Sequence, residues 1–271
     1  MTSWLLALSV ASGACPERRA EVAGSVAAGP LDEASGLVSS QRPGRLWSHN
    51  DSGNAAELVA LSPTGEVQGV WPVRATATDW EDIARHGAEL VVADIGDNRA
   101  RRRHVSLWRM EEPAAGATPR PLSATEQRLR YADGPRDAEV LLVHPATGET
   151  LILTKGREQE HAIYRVVAGE ELMQRVGTIP WLAPTPFRTA GDVAPDGSAV
   201  VLRGYTFAWW YAVRPGQTLL QALQEAPCPF ALAPETQGEG IAIGLDGVVY
   251  TLSEGGDQPL WRYPPPPTPT P

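Results

Sequence analysis

The chain has 271 residues, 42% of them hydrophobic, and a formal net charge of -9. That is enough apolar material for one sizeable core, while 26 Gly and 25 Pro residues exclude an architecture of long helices and point to short strands and turns. The negative charge excludes a nucleic-acid backbone or an anionic membrane surface as the main partner and favours cationic ligands.

In chain order, "MTSWLLALSVASGAC" comes first, with an apolar run from Trp4 to Val10. The run is too short to span a bilayer but suits the hydrophobic region of a secretory signal, with residues 1–14 removed and Cys15 left first. No Lys or Arg precedes the run, and Ser12 stands where a lipoprotein signal usually has Leu. Three readings of Cys15 stay open: a lipid anchor, a plain exported N-terminus, or a disulfide to Cys228. All three place the protein outside the cytosol, in the periplasm, on the envelope or secreted.

Residues 15–30 hold a candidate strand, "AEVAGSVAA". After it, five segments run from acidic or small polar residues straight into an apolar strand: "DEASGLV", "DWEDIA", "RDAEVLLV", "TAGDVA" and "GEGIAI". Aligning Ser35, Glu81, Glu139, Gly191 and Glu239 gives spacings of 46, 58, 52 and 48 residues, close to the roughly 40–50 of propeller blades. Each segment is followed by two or three further strands with turn signals such as "SPTGE" and "APDGS" between them. The pattern predicts an all-β fold, a β-propeller of about five blades over 31–263, with six as the alternative count. A β-sandwich would not explain why the segments resemble one another. The last unit lacks a fourth strand, so Ala20 to Ala28 is expected to close the ring. "GQTLLQALQEA", 216–226, reads as a short helical insertion. Trp47, Trp108 and Trp261 are expected to pack between blades, and the Pro-rich 264–271 to form an extended tail.

In a blade, the start of the first strand and the turn between the second and third lie on one face. Both places are acidic here: "DWEDIARHGAELVVADIGDN", 79–98, alone carries six carboxylates. Two carboxylates about 4 Å apart repel by roughly 4 kcal/mol at an effective dielectric of 20, so the mouth of the ring needs an offset. Protonation is one, and internal pairing with Lys155, Arg203 or the Arg99–Arg103 run is another. The third is a divalent cation held by Asn50, Asp51, Asp79, Glu81, Asp94, Asp97 and Asn98. Oxygen-only ligands suit Ca²⁺, with Mg²⁺ as the alternative, and no zinc-type spacing occurs. Asp, Asn and Gly are also ordinary turn residues, so "NDSGN" and "DIGDN" carry that plainer reading too.

The series "EASGL", "LWSHNDSGN", "DWEDIA", "ADIGDNRARR", "LILTKG", "APDGSAVVLRGY" and "GEGIA" resembles a family of exported bacterial β-propeller proteins without an established reaction. In architecture alone it is similar to calcium-containing propeller phytases and esterase-like propellers. The resemblance implies an envelope or secreted propeller and names no substrate. Gly191 is a departure, standing where other units place Glu.

No serine-hydrolase elbow, zinc-protease helix, P-loop or dinucleotide fingerprint occurs. Two functions from different classes remain. As a binding module, a monomer would use Trp80, Tyr205, Phe207 and Trp209 at the mouth to dock a small molecule, glycan or envelope protein. As a metal-assisted hydrolase of phosphate or carboxylic esters, it would use Glu81, Glu139 or Glu239 as base, His49 for proton transfer, and Lys155 and Arg203 to steady an oxyanion.

Overall fold

The computed structural model describes residues 15, 17–155, 160–180 and 188–266. The expected leader, 1–14, and the end of the Pro-rich tail, 267–271, lie outside them. The fold is all-β. Strand β1 (Glu21–Val26) precedes four antiparallel meanders: β2 (Ala34–Ser39), β3 (Leu46–Asn50), β4 (Glu57–Leu61) and β5 (Val67–Arg74), then β6 (Trp80–His86), β7 (Glu89–Asp94) and β8 (Val105–Glu111). After a two-residue bridge, β9 (Leu122–Ser123), β10 (Thr125–Tyr131) completes the second. The third is β11 (Ala138–Val143), β12 (Thr150–Thr154), β13 (Glu160–Val166) and β14 (Leu172–Pro180). The fourth is β15 (Ala190–Val193), β16 (Ala199–Arg203), β17 (Phe207–Ala212), the single turn of helix α1 (Leu219–Ala222) and β18 (Cys228–Ala231). Three strands remain, β19 (Gly238–Ile243), β20 (Val249–Ser253) and β21 (Gln258–Tyr263), and β1 pairs antiparallel with β21 to supply the fourth. The second and third meanders join into one eight-stranded sheet through a short parallel contact between β10 and β14.

The first strands neighbour one another in the order β2, β6, β11, β15, β19 and back to β2. Polar side chains tie them. Ser35 Oγ donates to Glu81 O at 2.7 Å, and Asp82 Oδ2 accepts N–H groups from Leu141 at 2.8 Å and Gly191 at 3.3 Å. Asp192, the repeat-equivalent of Asp82, accepts from Ile243 at 2.7 Å. The strands approach so closely that a Cβ on Gly36 would meet the Ile83 backbone nitrogen at 2.6 Å, which is why glycine stands there. With neighbours on both sides these strands are buried along almost their whole length, and their sequences read as continuous runs rather than alternating ones.

Apolar side chains fill five clusters, one between each pair of neighbouring meanders. Trp47 and Trp108 share the cluster between the first and second, where Trp47 meets Trp71 edge-on at 5.0 Å; Trp261 packs against the one between the fourth and fifth. Helix α1 lies where 216–226 suggested. Thr218 and Gln221 form a reciprocal capping box, and Leu219 and Ala222 pack into the cluster between the third and fourth meanders.

Cys15 is bonded to Cys228, the first residue of β18. Arg18 then donates to Tyr263 O at 3.0 Å and stacks 4.3 Å over Trp210. The segment therefore clasps the fourth meander before β1 joins the fifth. A sulfur held in a disulfide carries no thioether lipid, so of the readings left open for Cys15 the disulfide is the one this structure contains.

Candidate functional site

In four of the five meanders the pairing of first and second strands slips by a residue near its start. The slips fall between Ala34 and Leu37, Trp80 and Asp82, Ala138 and Val140, and Gly238 and Gly240, whereas β15 pairs regularly. A bulge leaves one residue unpaired and re-aims its side chain. The bulged residues include Glu81, Glu139 and Glu239, the acids that the repeat alignment superposes; regular β15 has Gly191 at that place. The sequence repeat is thus a repeated backbone device for turning a carboxylate toward one end of the first strands.

The loops complete the arrangement. Asp51 follows β3, Asp79 precedes β6, Asp137 precedes β11 and Glu254 follows β20. Three overlapping groups have one ligand oxygen per residue within 4.8 Å of the others: Asp51, Asp79 and Glu81; Glu81, Asp137 and Glu139; and Asp51, Glu239 and Glu254. Asp51 and Glu81 each belong to two, so the groups form one arc drawn from four meanders. Gly96 lies beneath it. A Cβ there would overlap the Glu81 and Asp79 carboxyl oxygens, which gives the glycine of "DIGDN" its role.

Burial and mutual repulsion push protons onto this arc. Burial, then the Glu139 charge, holds the Glu81 carboxyl well above its usual range, and Glu81 donates a hydrogen bond to Glu139. Burial raises Glu139 to about 7 despite the Lys155 ammonium in contact with it. Burial opposes the charge of Lys155, but Glu139 outweighs it and raises the ammonium. Burial and Glu239 raise Glu254, which hydrogen-bonds that residue, to about 8. Burial, then Asp51, lifts Asp79 to about 6.

Other residues expected at the mouth are committed elsewhere. Asp94 accepts the backbone N–H groups of Thr78 and Asp79 and pairs with Arg102 at 2.6 Å. Asp97 accepts from Arg102 N at 2.6 Å and organises the turn after it, in which Asn98 is exposed. Asn50 bonds Pro30 O and Glu33 N, fixing the loop before β2. His49 is completely buried against Trp80, 5.6 Å between ring centres, and burial lowers it to about 4, so it is a neutral core residue rather than a proton carrier at the mouth. Trp80 is 1% exposed and donates to Thr76 O, and Trp209 is a core residue under Arg188. Neither offers a docking face. Tyr205 and Phe207 are half-buried, and the charges of Glu239, Glu139 and Lys155 reach the Tyr205 hydroxyl.

Arg203 is corrected most. It is wholly buried, pairs with Glu235 at 2.6 Å and donates to Gly240 O at 2.8 Å and Gly204 O at 3.2 Å. With its side chain 0% exposed and turned to Glu235 and these carbonyls, it offers no face to an oxyanion at the mouth. Among the described residues, the cations near the arc are Lys155 and Arg102. Asp137 and Glu254 join the site although sequence did not single them out as ligands; both sit in loops that the repeat places at the same end, and that was the available signal.

No family model matches the chain, and no curated protein does. Among solved structures it is similar to a chain titled Kuenenia stuttgartiensis hydrazine synthase, at 14% identity and a TM-score of 0.42, covering 83% of this chain and 57% of that one. The chain thus spans little more than half of that chain's length. At that level the likeness carries no argument about function.

Proposed function

We propose that the chain is an exported five-bladed β-propeller whose acidic mouth holds a divalent cation and serves as a ligand- or partner-binding module. The five meanders, the cyclic order of their first strands and the cluster between each neighbouring pair support the architecture. The Cys15–Cys228 bond supports export, since such bonds persist in oxidising compartments.

The observation that carries the cation is the continuous arc. Oxygens sharing a Ca²⁺ at 2.3–2.6 Å lie at most about 5 Å apart, and each of the three groups meets that limit. The donors are all carboxylates, which fits Ca²⁺, or Mg²⁺ in the tighter octahedral case, and fits no thiolate- or imidazole-seeking metal. Tyr205, whose hydroxyl feels Glu239, Glu139 and Lys155, stands beside the arc as a contact for an organic ligand, while Phe207 packs against the cluster between the third and fourth meanders.

Millimolar Ca²⁺ is expected to raise the melting temperature of the parent by about 5 °C or more, because a ligand at about 100 times its dissociation constant contributes roughly 2.7 kcal/mol. Asp51→Asn, which weakens two of the three groups, is expected to lose most of that rise, while Asp97→Asn keeps it. A parent indifferent to Ca²⁺, Mg²⁺ and chelator ends the cation reading.

One observation favours a second reading, an ester hydrolase. Glu81, which burial and the Glu139 charge hold well above its usual range, donates to Glu139, raised by burial to about 7, beside Lys155, and a carboxyl pair with raised values suits acid–base work. Here Glu81, Glu139 or Glu239 takes the proton and Lys155 faces the oxyanion. Turnover of p-nitrophenyl phosphate or acetate, abolished by chelator and by Glu139→Gln, supports it; no turnover with any added divalent cation leaves the binding module.

A further inference from the structure

The run Arg99 to Arg103 has one member that faces inward. Arg102 donates to Gly96 O at 2.7 Å and pairs with Asp94 at 2.6 Å, and its backbone N–H is held by Asp97. Ala100 sits at φ 48°, a conformation unusual for a residue with a side chain, and its N–H bonds Asp97 O at 2.7 Å. A loop pinned this firmly, at the expense of backbone strain, presents what lies on its outer side in a fixed way. On that side are Arg99, Arg101 and Arg103, all exposed and, among the described residues, with no carboxylate partner.

The row continues on the neighbouring strand. Arg128 of β10 is exposed and lies opposite Ser106, near the start of β8, with the Glu126 carboxylate that accepts from Ser106 Oγ at 2.7 Å on the same face. Arg130 follows on the same face, 3.8 Å from Glu171, which also takes His104 at 3.0 Å. In a chain of net charge -9, the three loop arginines thus lie without a carboxylate partner among the described residues, while Arg128 and Arg130 beyond them have Glu126 and Glu171 on their face. Net charge describes the average surface; within a Debye length of about 10 Å the local arginines decide.

From this row of unpaired guanidinium groups on a pinned loop, we propose that the shoulder of the second meander binds an anionic polysaccharide, its carboxylate or sulfate groups spaced along the arginines. Guanidinium suits such groups because its planar fork meets two oxygens at once. A flexible strand can follow the row outward, away from the mouth, whereas a flat anionic bilayer would also face the carboxylates of the arc. β10 meets β14 only at Arg130 and Tyr131, so an extended acidic peptide is the competing occupant that the poly-glutamate arm tests. Single-stranded nucleic acid needs exposed rings to stack on, and the exposed large apolar side chains among the described residues are Val22, Val67, Val167 and Leu245.

The test uses the full chain in chelator, which removes any contribution from a cation at the mouth. The probes are polygalacturonate and dextran sulfate, with neutral dextran, poly-glutamate and phosphatidylglycerol vesicles as competing arms. The expected result is binding to at least one anionic polysaccharide at 0.1 M salt, with none to neutral dextran. Raising the salt should weaken it, and Arg101→Glu/Arg103→Glu should weaken it about tenfold or more. These side chains are exposed, so the double variant should melt as the parent does. Absence of binding to both polysaccharides, equal binding by the double variant, or tighter binding to vesicles or poly-glutamate overturns the proposal.

Discussion

Arg203→Ala is expected to cost about 3–5 kcal/mol and to lower the melting temperature by roughly 10 °C. Arg203 is 0% and Glu235 1% exposed, so truncating the arginine leaves a carboxylate in a low-dielectric interior with no cation beside it. It also removes the donor to Gly240 O, at the bulge that aims Glu239. Arg203→Lys should recover little, because one ammonium cannot reach Glu235, Gly240 and Gly204 together. Arg203→Leu/Glu235→Leu should be less damaging than Arg203→Ala, since it removes the stranded charge with its partner. Thermal melts of the three variants at one pH decide the matter. An Arg203→Ala protein that melts within about 2 °C of the parent would mean that the pair holds nothing together.

In chelator, the parent is expected to be most stable near pH 4–5 and to lose stability steadily toward pH 8. The carrier of that slope is Asp192, a buried axial carboxyl that burial raises to about 7 although two backbone N–H groups hold it. Asp82 is raised in the same way, and Asp192 adds to it. An unfolded Asp titrates near 3.9, so between about 4 and 7 the native chain binds protons that the unfolded chain has lost, and stability falls as pH rises. His49 has the opposite sign. Its folded value, about 4, lies below the unfolded value of about 6.5, so its contribution is lost as pH falls through that window. One histidine cannot cancel several carboxyls, and the net slope stays negative. Asp192→Asn keeps an acceptor for the N–H groups but does not titrate. It should flatten the profile between pH 4 and 8 by on the order of 4 kcal/mol, three pH units at about 1.4 each. Melting curves of both proteins across that range suffice; a parent that becomes more stable from pH 5 to 8 contradicts the account.

The all-β class was legible because turn residues and short apolar runs alternate along the whole chain, and the acidic first-strand starts were legible because they repeat. The fate of individual charges was not. A carboxylate in "DIGDN" can cap a backbone, pair with an arginine or face a cavity, and composition is identical in all three cases. Asp94 and Asp97 took the first two, because Arg102 folds back under its own loop. Arg203 met Glu235 from a segment 32 residues away, a pairing set by the crossing of β16 and β19 that no local pattern encodes. Trp80 stands between two acids as a platform residue does and Trp209 lies in the apolar run of β17, yet the face each occupies was fixed by strand pairing, one residue of register being enough to turn a ring from solvent to core.

The pairing of β1 with β21 separates spatial order from covalent order. Glu21 lies opposite Arg262, so the first and last described strands of the ring are already side by side, and one meander is assembled from both ends of the polypeptide. Nothing in the packing marks the fifth meander as the place where the backbone must be interrupted. A circular permutant that joins 263 to 21 through a flexible linker and opens at the exposed turn 114–116 keeps every strand pair and every inter-meander cluster. It gives up the clasp of Cys15 and Arg18 on the fourth meander and replaces it with ordinary chain connectivity. Its melting temperature, set beside that of the parent with Cys15 and Cys228 reduced, would separate what the disulfide contributes as a bond from what closure of the circle contributes as topology.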